Sequence, residues 1–312
     1  MSPAAWAAAV LCAAAGRALA ARHARKADDA GMTGGQSLVR THSRVSSLDG
    51  QAEVDSASCV PPGMRAVPVH GGAFQMVVLG DDDIVSQQLA RTGSWELGSP
   101  EEMAAKVGTT LPKTGVLLDI GANLGYYSLM FAHRGYHVVA VEPMTRNRKA
   151  IEGSLCLNPH LRSLVTVVPA ALVAPADAGS TRCIIRSTNY QINIGNGHLT
   201  CGSKDAGFTP CSKSDQNCEE VPVKTLDQVL SEVAPSTVTV VKMDVEGYEC
   251  NVLKGGATLF SSYKPKLVQA ETKWGNSSSC IHEVAAANGY ALFPDRVDTR
   301  LLRKRVFLTQ LG

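Results

Sequence analysis

The chain has 312 residues, enough for one large domain or two ordinary ones. Apolar residues make up 45% and charged residues 19%, which allows a sizeable core and excludes wholesale disorder. Thirty Lys and Arg against 28 Asp and Glu leave a net charge of +2, which excludes a role resting mainly on attraction to a phosphate backbone. No apolar run reaches the ~20 residues of a membrane-spanning helix, which excludes a polytopic membrane protein.

Residues 1–27 stand apart. They are rich in Ala, hold no acid before Asp28, and carry Arg17, Arg22, Arg25 and Lys26. A secretory signal, a signal anchor in the membrane and an organelle transit peptide all fit parts of this pattern. A frayed tail is the alternative. Residues 28–65 are polar and read as a linker, and residues 66–312 read as the globular domain.

The domain alternates between two periods. Gly72–Gly80 and Asp82–Leu89 read as two strands or as a strand followed by a short helix. Ser99-Pro100-Glu101-Glu102 is helix-start chemistry: a cap, a proline in the first turn and two acids at the positive end of the dipole. Val116–Ile120 is apolar on both faces, as a buried parallel strand requires. A glycine turn and an apolar helix closed by Gly135 follow. His137–Pro143 is a strand, and the stretch after it a helix stopped near Asn158 and Pro159. Leu164–Val173 reads as one strand. Thr225–Gln228 has capping-box form. Ser236–Gly247 and Pro265–Thr272 are strands with a short helix after Gly247, a further helix ends at Gly289, and YALFP and RVFLTQ are the last two strands. Strands alternating with helices imply a doubly wound, mainly parallel sheet with ligands at the carboxyl ends of its strands.

The nine cysteines include no CxxC pair, so a structural zinc site has little support. Four of them (Cys183, Cys201, Cys211 and Cys218) fall in a polar insert at about 180–220. Such a segment buries little apolar area, and cross-links would help it hold a shape. Four free thiols in a mobile loop are the alternative. Four cysteines allow three pairings, and the sequence does not choose among them. Disulfides would place the domain in an oxidising compartment and make the amino terminus a secretory signal or anchor. Asn276-Ser277-Ser278 is a glycosylation acceptor pattern.

Two acid-bearing turns carry the chemistry. In Asp119-Ile120-Gly121-Ala122-Asn123-Leu124-Gly125 the glycines permit a sharp turn and a close approach, and Asn123 tolerates positive φ. The spacing is not GxGxxG, so the nicotinamide fingerprint is not met. Glu142 ends the second strand, 23 residues after Asp119, where an acid can accept from ribose hydroxyls. Lys242–Glu249 ends a later strand with Asp244, Glu246 and Glu249, three acids facing the same crevice. A sulfonium ligand favours such carboxylates and an aromatic face, which Tyr126 and Tyr127 can supply. Glu271 ends the next strand.

Together VLLDIGANLGYYSLMFAHRG, VVAVEP, VKTLD, VVKMDVEGYECNVLKGG and LVQAET resemble the FkbM family of S-adenosylmethionine-dependent methyltransferases. The resemblance covers roughly residues 75–295. It implies a class I methyltransferase sheet, a Rossmann-like doubly wound α/β fold of seven strands with the last antiparallel. It also implies O-methylation of a hydroxyl on a sugar or natural-product-like small molecule. Asp119, Gly121, Asn123 and Gly125 would then line the methionine side of S-adenosylmethionine, and Glu142 would hold the ribose. Asp244 and Glu246 would lie at the reaction crevice with Glu271 beside it. The base is Asp244 or Glu271, with a histidine as rival, and no metal cluster is evident from spacing. The partner is a small-molecule or glycan acceptor rather than nucleic acid, with a membrane anchor at the amino terminus left open. An NAD-dependent oxidoreductase and an inactive binding module with the same sheet are the competing functions.

Overall fold

The computed structural model describes residues 56–80, 83–179, 182–187, 192–202, 208–273, 277–295 and 305–310. The segment 1–27, the linker as far as residue 55, Cys12 and Asn276 lie outside them. No helix among the described residues is long and apolar enough to cross a membrane.

A β-hairpin comes first, β1 (Arg65–Val69) against β2 (Phe74–Val78). Helix α1 (Ile84–Thr92) follows, capped by Asp83, whose carboxylate accepts from the Ser86 amide at 2.8 Å. In α2 (Pro100–Ala105) the Ser99 hydroxyl accepts from the Glu102 amide at 3.1 Å, the cap its sequence requires.

The main sheet uses β3 (Val116–Ile120), β4 (His137–Val141), β5 (Val165–Val168), β11 (Val240–Met243), β12 (Leu267–Glu271), β13 (Tyr290–Pro294) and β14 (Arg305–Gln310). Its order is β13-β14-β12-β11-β3-β4-β5. The pairs from β12 to β5 are parallel, and β14 runs antiparallel to both β12 and β13. Strand order reverses between β3 and β11, so their carboxyl ends splay around a crevice.

Side chains alternate across the strands into two cores. Leu117, Val138, Val240, Leu267 and Phe307 face α3 (Tyr126–His133), α4 (Thr145–Leu157) and the hairpin. Leu118, Val139, Val241, Val268 and Leu308 face α5 (Leu226–Val233), α6 (Glu249–Lys254) and α7 (Ser277–Ala287). Burial on both faces explains why these strands read as continuous apolar runs. The capping box at α5 forms as its sequence requires: Gln228 N donates to Thr225 Oγ1 at 3.1 Å, and Thr225 N to Gln228 Oε1 at 2.8 Å.

One expectation needs correction. Leu164–Val173 is not one strand. Pro169 has no N–H to continue the ladder. The chain turns there, and β6 (Ala171–Leu172) leaves the main sheet to pair with β10 (Val223–Lys224). The Cys-bearing insert is cross-linked, as its cysteines suggest, and is not the alternative, a mobile loop of free thiols. It is a three-stranded antiparallel sheet, β8-β7-β9, of β7 (Arg182–Arg186), β8 (His198–Gly202) and β9 (Cys218–Val221). Cys183, Ile185 and Val221 share one face and pack with Met144, Ala171 and Val173. Alternation places these three on one side, which the segment's average polarity conceals.

Four disulfides pair eight of the nine cysteines: Cys59–Cys156, Cys183–Cys201, Cys211–Cys218 and Cys250–Cys280. Two of them lie within the insert, and Cys183–Cys201 joins directly opposed residues of β7 and β8.

Candidate active site

The turn after β3 is built so tightly that Gly121 admits no side chain. Its φ is +75°, and a Cβ there would sit 2.0 Å from the Asp244 carbonyl oxygen. The amides of Gly121 and Ala122 donate to the Val141 carbonyl at 3.0 and 3.1 Å, tying the turn to β4. Asn123 takes a left-handed conformation, φ 53°, and its backbone N–H donates to Glu142 Oε2 at 2.8 Å. Gly125 begins α3 and packs on Ile151 of α4.

Glu142 braces the other side. Its Oε1 accepts from the Met144 amide at 2.9 Å and from Asn147 Nδ2 at 3.3 Å. Burial pushes its carboxyl up to about 7, against the pull of these hydrogen bonds and of Lys242. The acid at the end of β4 therefore supports the turn after β3 as well as facing the crevice.

Beneath the crevice Asp119, Lys242 and Gln269 occupy register-matched positions on β3, β11 and β12, all buried and on the α3 side. Asp119 accepts from Ser128 Oγ at 2.7 Å and lies 3.9 Å from Lys242 Nζ. Burial raises the Asp119 carboxyl, opposed by Lys242 and Ser128. Lys242 Nζ donates to the Gly121 carbonyl at 2.8 Å, lies 3.8 Å from Asp244 Oδ2, and sits 5.7 Å from the centre of the Tyr127 ring. One ammonium thus links both acid-bearing strand ends and the glycine turn. Tyr127 donates to Glu96 Oε2 at 3.0 Å, and Arg305 Nη1 donates to the same oxygen at 2.7 Å.

At the end of β11 the three acids divide their work. Glu249 is buried in its own turn, where Oε1 accepts from the Val245 and Gly247 amides at 3.1 and 3.3 Å. Burial raises its carboxyl. Asp244, Glu246 and Glu271 instead converge, each offering a carboxylate oxygen within 4.8 Å of the others. Sequence spacing singles out no such set, because Glu271 comes from a different strand. A cluster of this size can hold a divalent cation or face a cationic ligand group.

A cavity opens at the carboxyl ends of β3, β4 and β11. Gly121, Asn123, Glu142, Asp244 and Glu246 line it; Asp119, Gly125 and Glu271 stand behind or beside its wall. Tyr126 and Tyr127 also line it. Sequence reasoning missed Lys242, Glu96 and the insert, which line it as well. Lys242 left a signal, a cation inside an otherwise apolar strand; Glu96 left none. Among the described residues, six non-glycine residues have positive φ, and three of them (Glu96, Asn123 and Glu246) line this cavity. Strained backbone concentrated in one cleft marks a functional site.

The sheet order, the antiparallel last strand and an acid-flanked glycine turn at the switch point define a class I methyltransferase. The pattern of the methyltransferase FkbM domain matches residues 119–296. The chain belongs to the FkbM methyltransferase family, with S-adenosylmethionine as methyl donor. The adenosyl sulfonium suits the residues present. Glu142, Asp244 and Glu246 line the cavity with carboxylates, and the buried Asn123 Oδ1 and Asn193 Oδ1 accept no hydrogen bond from the protein.

The chain is 27% identical over 176 residues to the AMB antimetabolite synthetase AmbE of Pseudomonas aeruginosa. That match covers 50% of this chain and 8% of the synthetase's length. Among solved structures, the METTL16 methyltransferase domain is similar with TM-score 0.43 at 12% identity, covering 82% of this chain and 91% of that one. The precorrin-6y C5,15-methyltransferase of Geobacter metallireducens GS-15 gives TM-score 0.38 at 10% identity, covering 67% and 86%.

Proposed function

We propose that this methyltransferase O-methylates a hydroxyl on a sugar or natural-product-like small molecule. In this reading Gly121 and Asn123 face the methionine end of the donor, while Asp119 and Gly125 shape that turn from behind. Glu142 accepts from the ribose hydroxyls. Asp244 and Glu246 border the reaction crevice, and Asp244 or Glu271 takes the acceptor's proton.

The observation that carries the reading is the convergence of Asp244, Glu246 and Glu271 beside the cavity. When bound, the donor supplies a methyl group on a cationic sulfur with a good leaving group. The protein's task is then to align the acceptor oxygen, an effect worth up to ~7–11 kcal/mol, and to accept its proton. An alcohol needs a base within hydrogen-bond reach, and a carboxylate pair at the crevice edge provides one. Lys242, held by Gly121 and Asp119, fixes the Asp244 side chain from below.

The test is methyl-labelled S-adenosylmethionine with matched panels of alcohols, amines and carboxylic acids built on sugar and polyketide-like scaffolds. The expected product is a base-stable ether label on the alcohols. Label found only in amines, or only in base-labile esters, refutes O-methylation.

A further inference from the structure

We propose that the disulfide-pinned insert is a binding element that walls the adenosine end of the donor pocket, with Asn193 accepting a hydrogen bond from an N–H or O–H of that end. The proposal rests on the donor placement given above. The fold explains the sheet without explaining this segment, which returns to the crevice from between β6 and β10.

Three observations support it. First, Ile185 of β7, Leu199 of β8 and the connecting Asn193, Gly195, Asn196 and Gly197 all line the cavity. Ile185 and Leu199 pack around Met144, two residues beyond Glu142, and complete an apolar surface suited to a purine.

Second, the tip is anchored to the domain. Gly195 N donates to Asp83 Oδ1 at 3.3 Å, Asn147 Nδ2 donates to the Gly195 carbonyl at 2.9 Å, and Ile84 N donates to the Ile192 carbonyl at 2.8 Å. Asp83 and Asn147 are fully buried, so these anchors are fixed parts of the core. A Cβ at Gly195 would approach Asn123 Oδ1 to 2.9 Å, so the tip lies against the turn after β3. Opposed across β7 and β8, Cys183–Cys201 holds the platform behind the tip.

Third, the Oδ1 atoms of Asn123, Asn147 and Asn193 are all buried and accept no hydrogen bond. Such acceptors are rare in folded proteins and expensive unless a ligand or water donor fills them. Adenosine brings a 6-amino group and two ribose hydroxyls, all donors. Asn193 lines the cavity and belongs to the insert alone.

The test is titration calorimetry on the full oxidised chain with S-adenosylhomocysteine and with 5′-methylthioadenosine, which keeps the adenosine and drops the amino-acid end. Asn193→Ala and Leu199→Ala should each weaken both ligands about tenfold, the effect of one hydrogen bond or one apolar contact, and Asn193→Ala should do so without lowering the melting temperature of the free protein. Wild-type affinity in both variants, beside a loss in Glu142→Gln, overturns the insert's role and leaves the donor placement standing. A loss confined to S-adenosylhomocysteine also overturns it, because the insert would then touch the amino-acid end. If the wild-type chain binds neither ligand, the donor placement itself is refuted.

Discussion

Replacing Glu142 with glutamine should weaken S-adenosylhomocysteine binding about 10- to 100-fold and remove most of its pH dependence near neutrality. A hydrogen bond to a charged group contributes about 1.5–3 kcal/mol, and each 1.4 kcal/mol is a factor of about ten in affinity. Burial holds the wild-type carboxyl at about 7. Ribose hydroxyls donate to the ionised form, so binding favours deprotonation, and affinity should rise with pH through about 7 and level off above it. Lys242 also favours the ionised form and so works against burial's upward push on the carboxyl. Glutamine cannot ionise, so its profile should be flat over that range.

Stability of the ligand-free protein carries the opposite sign. The carboxyl is raised above its ordinary value of 4.5, so the folded state keeps a proton that the unfolded state loses. The contribution is fully present below about 4.5 and is lost as pH rises to about 7, by about 3 kcal/mol. The difference between wild type and Glu142→Gln in urea midpoints across that range isolates it. The amide oxygen can serve only one of the Asn123 and Met144 N–H groups that Glu142 now satisfies, so a small constant loss should accompany it. A binding profile of wild type that is level from pH 6 to 8 would rule out the ribose role.

Removing the Cys59–Cys156 disulfide should lower unfolding free energy by about 3–5 kcal/mol. Its ends are 97 residues apart, and a loop of about 100 residues corresponds to about 4.7 kcal/mol of chain entropy. Other bonds in the same region act locally. Ser154 Oγ accepts from the Val77 amide at 2.8 Å, and Asn158 bonds both backbone groups of Gln75, at 3.1 and 2.7 Å. These bolt α4 to β2 but do not restrict the unfolded chain. The double variant Cys59→Ser/Cys156→Ser, unfolded in urea, measures the difference. A change under 1 kcal/mol would mean that the unfolded chain is already constrained there. Because α4 starts directly after Met144 and carries Asn147, loosening it should also reach the crevice.

The sheet was legible because its strands are buried on both faces. Val116–Ile120 and its neighbours need no partner pattern to be recognised, and Ser99 and Thr225 mark helix starts by chemistry that survives folding unchanged. The crevice residues on strand ends, Asp119, Gly121, Asn123, Glu142 and Asp244, were legible for the same reason: strand ends fix where they go. What stayed hidden depends on pairing distant segments. Glu96 meets Arg305 across 209 residues, and Glu271 was set beside Asp244 by the family resemblance alone, since it meets it only when β11 and β12 lie side by side. Glu249 looked like a third crevice acid and instead holds its own turn, a difference of one local backbone conformation. The insert's sheet was concealed by composition, since polar residues such as Arg182, Thr200 and Glu220 alternate with the few buried ones.

The Cys250–Cys280 bond joins α6, which follows the Asp244–Glu246 turn, to α7, which follows the strand bearing Glu271. Ser277 at the start of α7 also donates to Glu249, the brace of that turn. A covalent tie between these two helices, with the Ser277 bond beside it, limits how far the segments that carry Asp244, Glu246 and Glu271 can part.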